Sequence, residues 1–138
     1  MQNELFDLGA ELACPPEQLP EGMAVLSDKQ ADVLVEEMDA WLEQLEPLTS
    51  FILPSGNGPE AVMHLTRTVT RRLERTVLRL SEAEGDGSVR PLVLVYINRL
   101  SDWLFVLGRW VCIGLGNDES LWMPLGRRGP ENGTCNVI

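Results

Sequence analysis

The chain has 138 residues, which is enough for one domain with a single hydrophobic core. Its formal net charge of −10 argues against general nucleic-acid binding, because such proteins present a basic surface. No continuous apolar run is long enough to cross a bilayer, and we expect no membrane partner. Three widely spaced cysteines indicate reduced thiols and a cytoplasmic protein, not a disulfide framework or a zinc site: Cys14, Cys112 and Cys135.

Two helices are predicted in the first third of the chain. The first covers residues 3–13, and two consecutive prolines end it. Ser27 and Gln30 have the form of a capping box, in which each side chain satisfies the other residue's backbone N–H. A second helix is therefore predicted over residues 27–46, where a proline stops it.

A rigid loop that leads into an arginine-rich helix is the most informative stretch. Residues 51–58 join the apolar segment Phe51 to Leu53 to a proline and two glycines, a composition typical of a fixed loop. Pro59 suits the first turn of a helix, and Glu60 suits the positive end of its dipole. One stripe of this helix is predicted to face the core: Val62, Leu65, Val69, Leu73, Val77 and Leu80.

Another face of the same helix carries charged residues at three- and four-residue steps. They are His64, Arg67, Arg71, Glu74 and Arg75. Stacked arginines repel one another unless something anionic lies among them. The pattern leaves two interpretations open: a solvated face balanced by acidic neighbours, or a polyphosphate site, because guanidinium groups bind phosphate oxygens bidentately.

Charge is distributed unevenly along the chain. Residues 1–46 contain twelve carboxylates and one lysine, whereas residues 51–110 contain six carboxylates and eight arginines. This asymmetry predicts that the acidic half packs near the arginine half, within one subunit or between neighbours.

A last helix is predicted after a polar loop at residues 81–90, from Ser88 or Pro91 to about Ile113. Its aromatic residues repeat every seven positions and form a seam that either packs within the chain or makes a subunit interface: Tyr96, Trp103 and Trp110. We therefore predict one helical domain at residues 1–113 and a glycine-rich, partly disordered tail at residues 114–138. The final four residues match a prenylation pattern, which short strings reach by chance.

Two long motifs in this order resemble the propanediol-utilisation type of ATP:cob(I)alamin adenosyltransferase. The first is a FILP-plus-glycine loop with an H-x-x-R-x-x-x-R-R-x-E-R helix, at residues 51–75, and the second is N-R-L-S-D-x-L-F at residues 98–105. The segment LFDLGAELA at residues 5–13 also resembles the family, with a weaker match near Trp122. The resemblance implies an all-α, up-and-down helical bundle that forms a homotrimer, with about four of the family's five helices in this chain.

The resemblance also implies a reaction. The family transfers the adenosyl group of ATP to the cobalt of a reduced corrinoid, cob(I)alamin or cob(I)yrinic acid a,c-diamide, and forms adenosylcobalamin and triphosphate. ATP, cobalamin and Mg²⁺ are the implied ligands, and an electron-donating reductase is the implied partner. Because cobalt(I) is itself the nucleophile, no general base is required, which fits a chain with one histidine.

The nucleotide site is assigned by resemblance alone. Arg71 and Arg75 match the residues that contact the triphosphate, and Arg72 is a less certain third. Glu74 matches a position that orients the arginines or acts through magnesium or the ribose. Asn98 matches an asparagine that hydrogen-bonds the nucleotide.

Phe51 and Arg67 take further roles by resemblance. Phe51 matches a phenyl ring that lies below the corrin and keeps the lower ligand away from cobalt, which makes cobalt(II) easier to reduce. The alternative for Phe51 is a loop anchor in the core. Arg67 matches an arginine that pairs with an aspartate across a subunit interface.

The resemblance stops before the family's first motifs. A T-K-T-G-D-x-G phosphate-binding segment and a helix with the pattern D-E-L-N do not occur in this sequence. We therefore expect an exposed groove on the bundle and an impaired or absent activity. Two alternatives of other classes remain: a non-catalytic module that binds ATP or corrinoid, and a structural helical oligomer.

Overall fold

The computed structural model describes residues 1–56 and 58–125. Within them the chain folds as four α-helices and one short 3₁₀ turn, so the all-α prediction is confirmed. The helices are α1 (Gln2–Leu12), α2 (Asp28–Leu42), α3 (Pro59–Glu84) and α4 (Pro91–Gly114), and the turn is Pro16–Gln18. The prenylation-like string at residues 135–138 lies outside the described residues.

The helix boundaries follow local signals. Proline occupies the first position of α3 and of α4, where its missing N–H costs nothing. The capping box is present, because the Ser27 backbone N–H donates to Gln30 Oε1 at 2.9 Å. Two predicted boundaries were wrong. α2 ends four residues earlier than expected, and α3 continues through residues 81–84 until Gly85, which takes φ +89°.

Helix α4 is the central element and packs against both α2 and α3. Its fully buried side chains include Val93, Tyr96 and Ile97, with Leu100 and Leu104 nearly so. Among the described helices, α4 alone has the length and apolar content of a membrane span, and its apolar side chains form the core of the bundle instead. The position of α4 brings the other helices into contact with one shared core.

The predicted core stripe of α3 was only partly right. Leu73 and Val77 face the core, but Val62, Leu65 and Val69 are 45–64% exposed. The core-facing line instead includes Met63, which lies so close to α4 that a β-carbon on Gly108 would be 3.3 Å from the β-carbon of Met63. Because α3 carries apolar residues on two sides, periodicity could not tell which side meets α4. Leu80, also predicted in the stripe, is 36% exposed.

Ion pairs join the acidic and arginine-rich halves of the chain, as the charge asymmetry predicted. Arg90, the N-cap residue of α4, binds Glu11 of α1 with Nε–Oε1 at 2.6 Å and Nη2–Oε2 at 2.8 Å. Arg99 pairs with Asp32 of α2 at 3.0 Å. These contacts use Arg90 and Arg99, so they leave most of the arginines of α3 without an acidic partner from the first two helices.

Alkaline pH is expected to destabilise the fold through two buried acids on α4. Burial, together with Glu60, raises the pKa of Cys112 from 9.0 to about 11. Burial and Glu4 also raise the pKa of Tyr96 above its ordinary 10.0. The unfolded chain therefore releases protons that the folded chain retains, and the free energy of unfolding should fall as pH rises above about 9. Urea unfolding at a series of alkaline pH values measures this fall.

The single tyrosine of the chain makes this prediction directly visible. Tyrosinate absorbance should appear only as the protein unfolds, well above pH 10, because the phenol donates to Glu4 Oε2 at 3.1 Å inside the fold. Tyr96→Phe should flatten the loss of stability above pH 10. A wild-type phenol that ionises near pH 10 with the helices intact would contradict the prediction.

Candidate functional site

An open cavity of about 1130 Å³ lies beside the loop that precedes α3. Aromatic side chains line it from three segments of the chain: Phe51 of the loop, Phe105 of α4 and Trp122 beyond α4. Phe51 is 77% exposed, and its ring meets Trp122 edge-on with the ring centroids 6.0 Å apart. The alternative of Phe51 as a core anchor is therefore not supported. The cavity has the size and apolar lining of a small-molecule site.

A short antiparallel pairing holds the loop against the segment beyond α4. The Leu53 N–H donates to the Ser120 carbonyl at 2.8 Å, and the Trp122 N–H donates to the Phe51 carbonyl at 2.7 Å. The Ser50 hydroxyl adds a bond to the Trp122 carbonyl at 2.8 Å. Sequence reasoning missed this contact, although the apolar run at residues 121–123 was a signal that could have indicated it.

Arg67 is the basic residue of the cavity. Its guanidinium carbon lies 5.3 Å from the ring centroid of Phe105, a cation–π contact between α3 and α4. Its Nε is buried and has no hydrogen-bond partner among the described residues. A buried donor without a partner is costly, so this N–H is available to an acceptor supplied by a ligand or another subunit.

A connected polar group lies one helical turn further along α3. Arg71 forms an ion pair with Glu74, and the Asn98 amide of α4 donates to Glu74 Oε1 at 3.0 Å. The carboxylate thus holds a guanidinium and a carboxamide at neighbouring positions on two helices. All three are residues singled out from sequence, and the structure brings them together.

The remaining arginines of this face are exposed. Arg72 and Arg75 point to solvent, as does Arg79 one turn later, and none of them pairs with a carboxylate within the described part of the chain. The structure therefore brings Arg72 and Arg75 into neither the cavity nor the Glu74 group. Five arginines on one helix with a single carboxylate partner make a surface that favours an anion.

A second cavity of about 510 Å³ lies near the C-terminal end of α3. Its polar lining is acidic, with Glu17, Glu84 and Asp86, together with the Cys14 segment. Carboxylates repel phosphate groups, so this second cavity does not compete with the arginine face as a nucleotide site.

Gly56 marks the tightest point of the loop. It has φ +115°, and a β-carbon there would lie 2.1 Å from Glu60 Oε2, whose side chain is buried beneath the loop. We expect Gly56→Ala to lower the free energy of unfolding by about 1–3 kcal/mol beyond the cost of a positive φ, because the new β-carbon would displace the buried Glu60 carboxylate. Chemical denaturation measures the loss.

Gly22→Ala is the matched control. Gly22 also has a positive φ, +80°, but a β-carbon there meets nothing within 4 Å. Gly22→Ala should lower the free energy of unfolding only by the cost of a positive φ, about 1–2 kcal/mol. Equal losses for the two variants would show that Glu60 does not confine the loop.

The aromatic residues of α4 are used within the chain. Trp103 and Trp110 both contact Trp41 of α2, with ring centroids 5.2 Å and 5.9 Å apart. Their indole N–H groups donate to Glu37 of the same helix and to Gln44 just beyond its end. Tyr96 is fully buried elsewhere. The intramolecular alternative for the seam is therefore the one observed, which weakens the case for a structural oligomer built on these residues.

The family model described as cobalamin adenosyltransferase matches residues 1–111. The chain belongs to the cobalamin adenosyltransferase family. A corrinoid adenosyltransferase of Mycobacterium tuberculosis is 38% identical over 129 residues, which cover 93% of this chain and 65% of that protein. The human corrinoid adenosyltransferase is 37% identical over 128 residues, 89% of this chain and 49% of its own length. The chain thus spans about half to two thirds of these curated family members.

Solved structures of the adenosyltransferase family share the fold. A phenylalanine-to-alanine variant of the PduO-type ATP:corrinoid adenosyltransferase from Lactobacillus reuteri, complexed with cobalamin and ATP, has a TM-score of 0.81 at 28% identity. The match covers 89% of this chain and 66% of that one. An arginine-to-lysine variant complexed with ATP has a TM-score of 0.79 at 29% identity, over 88% and 66% of the two chains. The up-and-down bundle is therefore the family's fold.

Proposed function

We propose that this protein transfers the adenosyl group of ATP to the cobalt of a reduced corrinoid and releases triphosphate. The observation that carries the proposal is the juxtaposition of an arginine-rich helix face with an aromatic cavity that holds Phe51 and Arg67. Family membership supports both substrates. The arginine face suits a polyphosphate, and the wide apolar cavity suits a corrin ring.

The proposed reaction is a single displacement at C5′ of ATP. The cobalt(I) electron pair forms a Co–C bond, the C5′–O bond breaks, and its electrons leave on the triphosphate while cobalt becomes formally cobalt(III). The corrinoid is a substrate and carries the nucleophile, so the protein contributes position and electrostatics. Negative charge grows on the leaving oxygen, which fixed guanidinium groups stabilise.

Arg71 is the residue we assign to the departing triphosphate, with Arg75 as a second contact and Arg72 as a third. The ion pair with Glu74 supports the assignment of Arg71, because it restrains the guanidinium before ATP arrives. We assign Asn98 to a hydrogen bond with the nucleoside, since its amide already lies beside Glu74. Glu74 would then orient both partners.

Phe51 is assigned to the corrinoid. The Phe51 ring is exposed at the rim of the cavity, and its aromatic contact within the described residues is with Trp122. A corrin face placed against this ring would bury it. A phenyl ring below the corrin excludes an axial donor from cobalt. Without that donor, cobalt(II) accepts an electron more readily. An external reductase would be the partner that supplies this electron.

Magnesium is proposed as a companion of the triphosphate. The described residues contain no group of three or more acidic, histidine or cysteine side chains that could hold an ion. Mg²⁺ would be held mainly by phosphate oxygens and water, beside the Glu74 carboxylate that pairs with Arg71. When bound, the ion would neutralise part of the phosphate charge.

A homotrimer in the cytoplasm completes the proposal. The exposed apolar residues Val62, Leu65 and Val69 on α3 support an interface with another subunit. The unpartnered Nε of Arg67 supports a carboxylate from such a neighbour. Sedimentation of the purified protein measures the assembly, and a monomer at working concentration would remove the interface from the proposal.

The test is an anaerobic assay with ATP and chemically reduced cobalamin. Formation of the Co–C bond is followed by absorbance, and triphosphate release is measured in parallel. We expect equimolar products. Tight ATP and corrinoid binding in calorimetry without product would favour the non-catalytic module, and no binding of either would overturn the proposal. The reduced activity expected from sequence remains a prediction, and the same assay beside the M. tuberculosis relative measures it.

A further inference from the structure

Arg109 is a buried cation that the proposed chemistry does not use. It lies on α4 and is 5% exposed. Its Nε donates to Glu119 Oε1 at 2.7 Å, and its Nη2 donates to Glu119 Oε2 at 3.2 Å and to the Glu46 carbonyl at 2.8 Å. One guanidinium therefore joins α4, the segment after α2 and the segment beyond α4.

The ion pair lies directly beside the pairing that holds the loop. Glu119 precedes Ser120, whose carbonyl accepts the Leu53 N–H. Two residues later, Trp122 donates to the carbonyl of Phe51. A shift of Glu119 would therefore be passed through the backbone to the Phe51 ring at the cavity.

The energetics favour a geometric role over a stabilising one. Burying the two charges costs solvation free energy, and their mutual attraction only roughly offsets this cost. An apolar pair of similar volume would therefore stabilise the fold at least as well. What the bidentate pair supplies is a fixed distance and direction between α4 and the segment that follows it. A fixed geometry of this kind matters where an aromatic ring such as that of Phe51 must be held at one position relative to a bound ligand.

We propose that Arg109 and Glu119 are positioning residues for the corrinoid side of the site. Their ion pair holds residues 120–122 against residues 51–53 and so fixes the Phe51 ring at the rim of the cavity. The kinetic part of this inference rests on the proposed adenosyl transfer. The structural part requires no ligand and can be tested separately.

Amide hydrogen exchange tests the structural part. In Glu119→Gln, the amides of Leu53 and Trp122 should exchange at least about tenfold faster than in the parent protein, because the charge-assisted bonds to Arg109 weaken. The amides of α3 should not change. Asp32→Asn is the matched control. It neutralises a carboxylate of α2 that pairs with a different arginine of α4, Arg99.

Kinetics and spectroscopy test the link to function. Glu119→Gln should raise KM for the corrinoid, or lower kcat with cobalt(II) plus reductant, by about tenfold, because a displaced group can cost up to about 100-fold. KM for ATP should stay within about twofold. The absorbance of four-coordinate cob(II)alamin should decrease in the same variant.

Three results would overturn the proposal. One is unchanged exchange at Leu53 and Trp122 in Glu119→Gln. Another is an equal rise in KM for ATP and for corrinoid, which would indicate general damage to the fold. The last is an equal effect of Asp32→Asn. Absence of turnover in the parent protein would count against the proposed function alone, since the exchange result is decisive without substrate.

Discussion

Arg71→Ala is expected to lower kcat for adenosyl transfer by about 100-fold to 1,000-fold, while the fold stays intact. Removal of one fixed donor from developing charge typically costs this much, equivalent to about 3–4 kcal/mol of transition-state stabilisation. Arg71 is 39% exposed at its side chain, so its truncation leaves no core cavity. Anaerobic turnover with chemically reduced cobalamin measures the effect.

Two further variants sharpen this prediction. Arg71→Lys retains the charge but loses the planar fork that binds phosphate oxygens bidentately, and it should recover only part of the activity. Arg79→Ala removes an exposed arginine two turns beyond Arg71 on the same helix and should change kcat by less than about threefold. Equal losses for Arg71→Ala and Arg79→Ala would mean that only net charge matters.

Phe51→Ala is expected to act on reduction of the corrinoid more than on adenosyl transfer. With cobalt(II) and a reductant, turnover should fall at least about tenfold, which is about 1.4 kcal/mol, because the lower ligand is no longer excluded from cobalt. With corrinoid already reduced to cobalt(I), the loss should be smaller. Comparison of the two assays isolates the role of the phenyl ring.

The chain supplies a matched control for Phe51. Phe6 of α1 is 82% exposed, close to the 77% of Phe51, but it does not line the cavity. Phe6→Ala should leave both assays unchanged. If Phe51→Ala reduced both assays by the same factor, the ring would act in corrinoid binding and not in control of the axial ligand.

The helices themselves were predictable because their signals are local. Pro59 and Pro91 each begin a helix, and the Ser27–Gln30 capping box begins another. The predicted end of α3 was too early because residues 81–84 are mostly polar, and their polarity was interpreted as a loop. They contain no helix breaker, so the helix continues through them. Polarity at a helix end indicates exposure, whereas only Gly85 ends the hydrogen-bonding pattern.

Part of the candidate site was also predictable. The residues Arg71, Glu74 and Asn98 were identified from two motifs, and the structure connects them by an ion pair and a hydrogen bond. The contact between Phe51 and Trp122 was not predictable, because it joins positions 71 residues apart through backbone pairing with no periodic signal. The roles of the individual site residues stay predictions until the variants are measured.

The sequence by itself determined the helices, their approximate limits and the line of arginines, because capping, proline placement and side-chain spacing act within a few residues. Only the tertiary structure decided which apolar side of α3 meets α4, and that Arg109 and Glu119 hold the segment beyond α4 against the Phe51 loop. The physical reason is that these choices depend on close packing at Gly108 and on a buried charge pair. The packing at Gly108 exists only once α3 lies against α4, and the charge pair acts on the Phe51 loop only because residues 120–122 pair with residues 51–53.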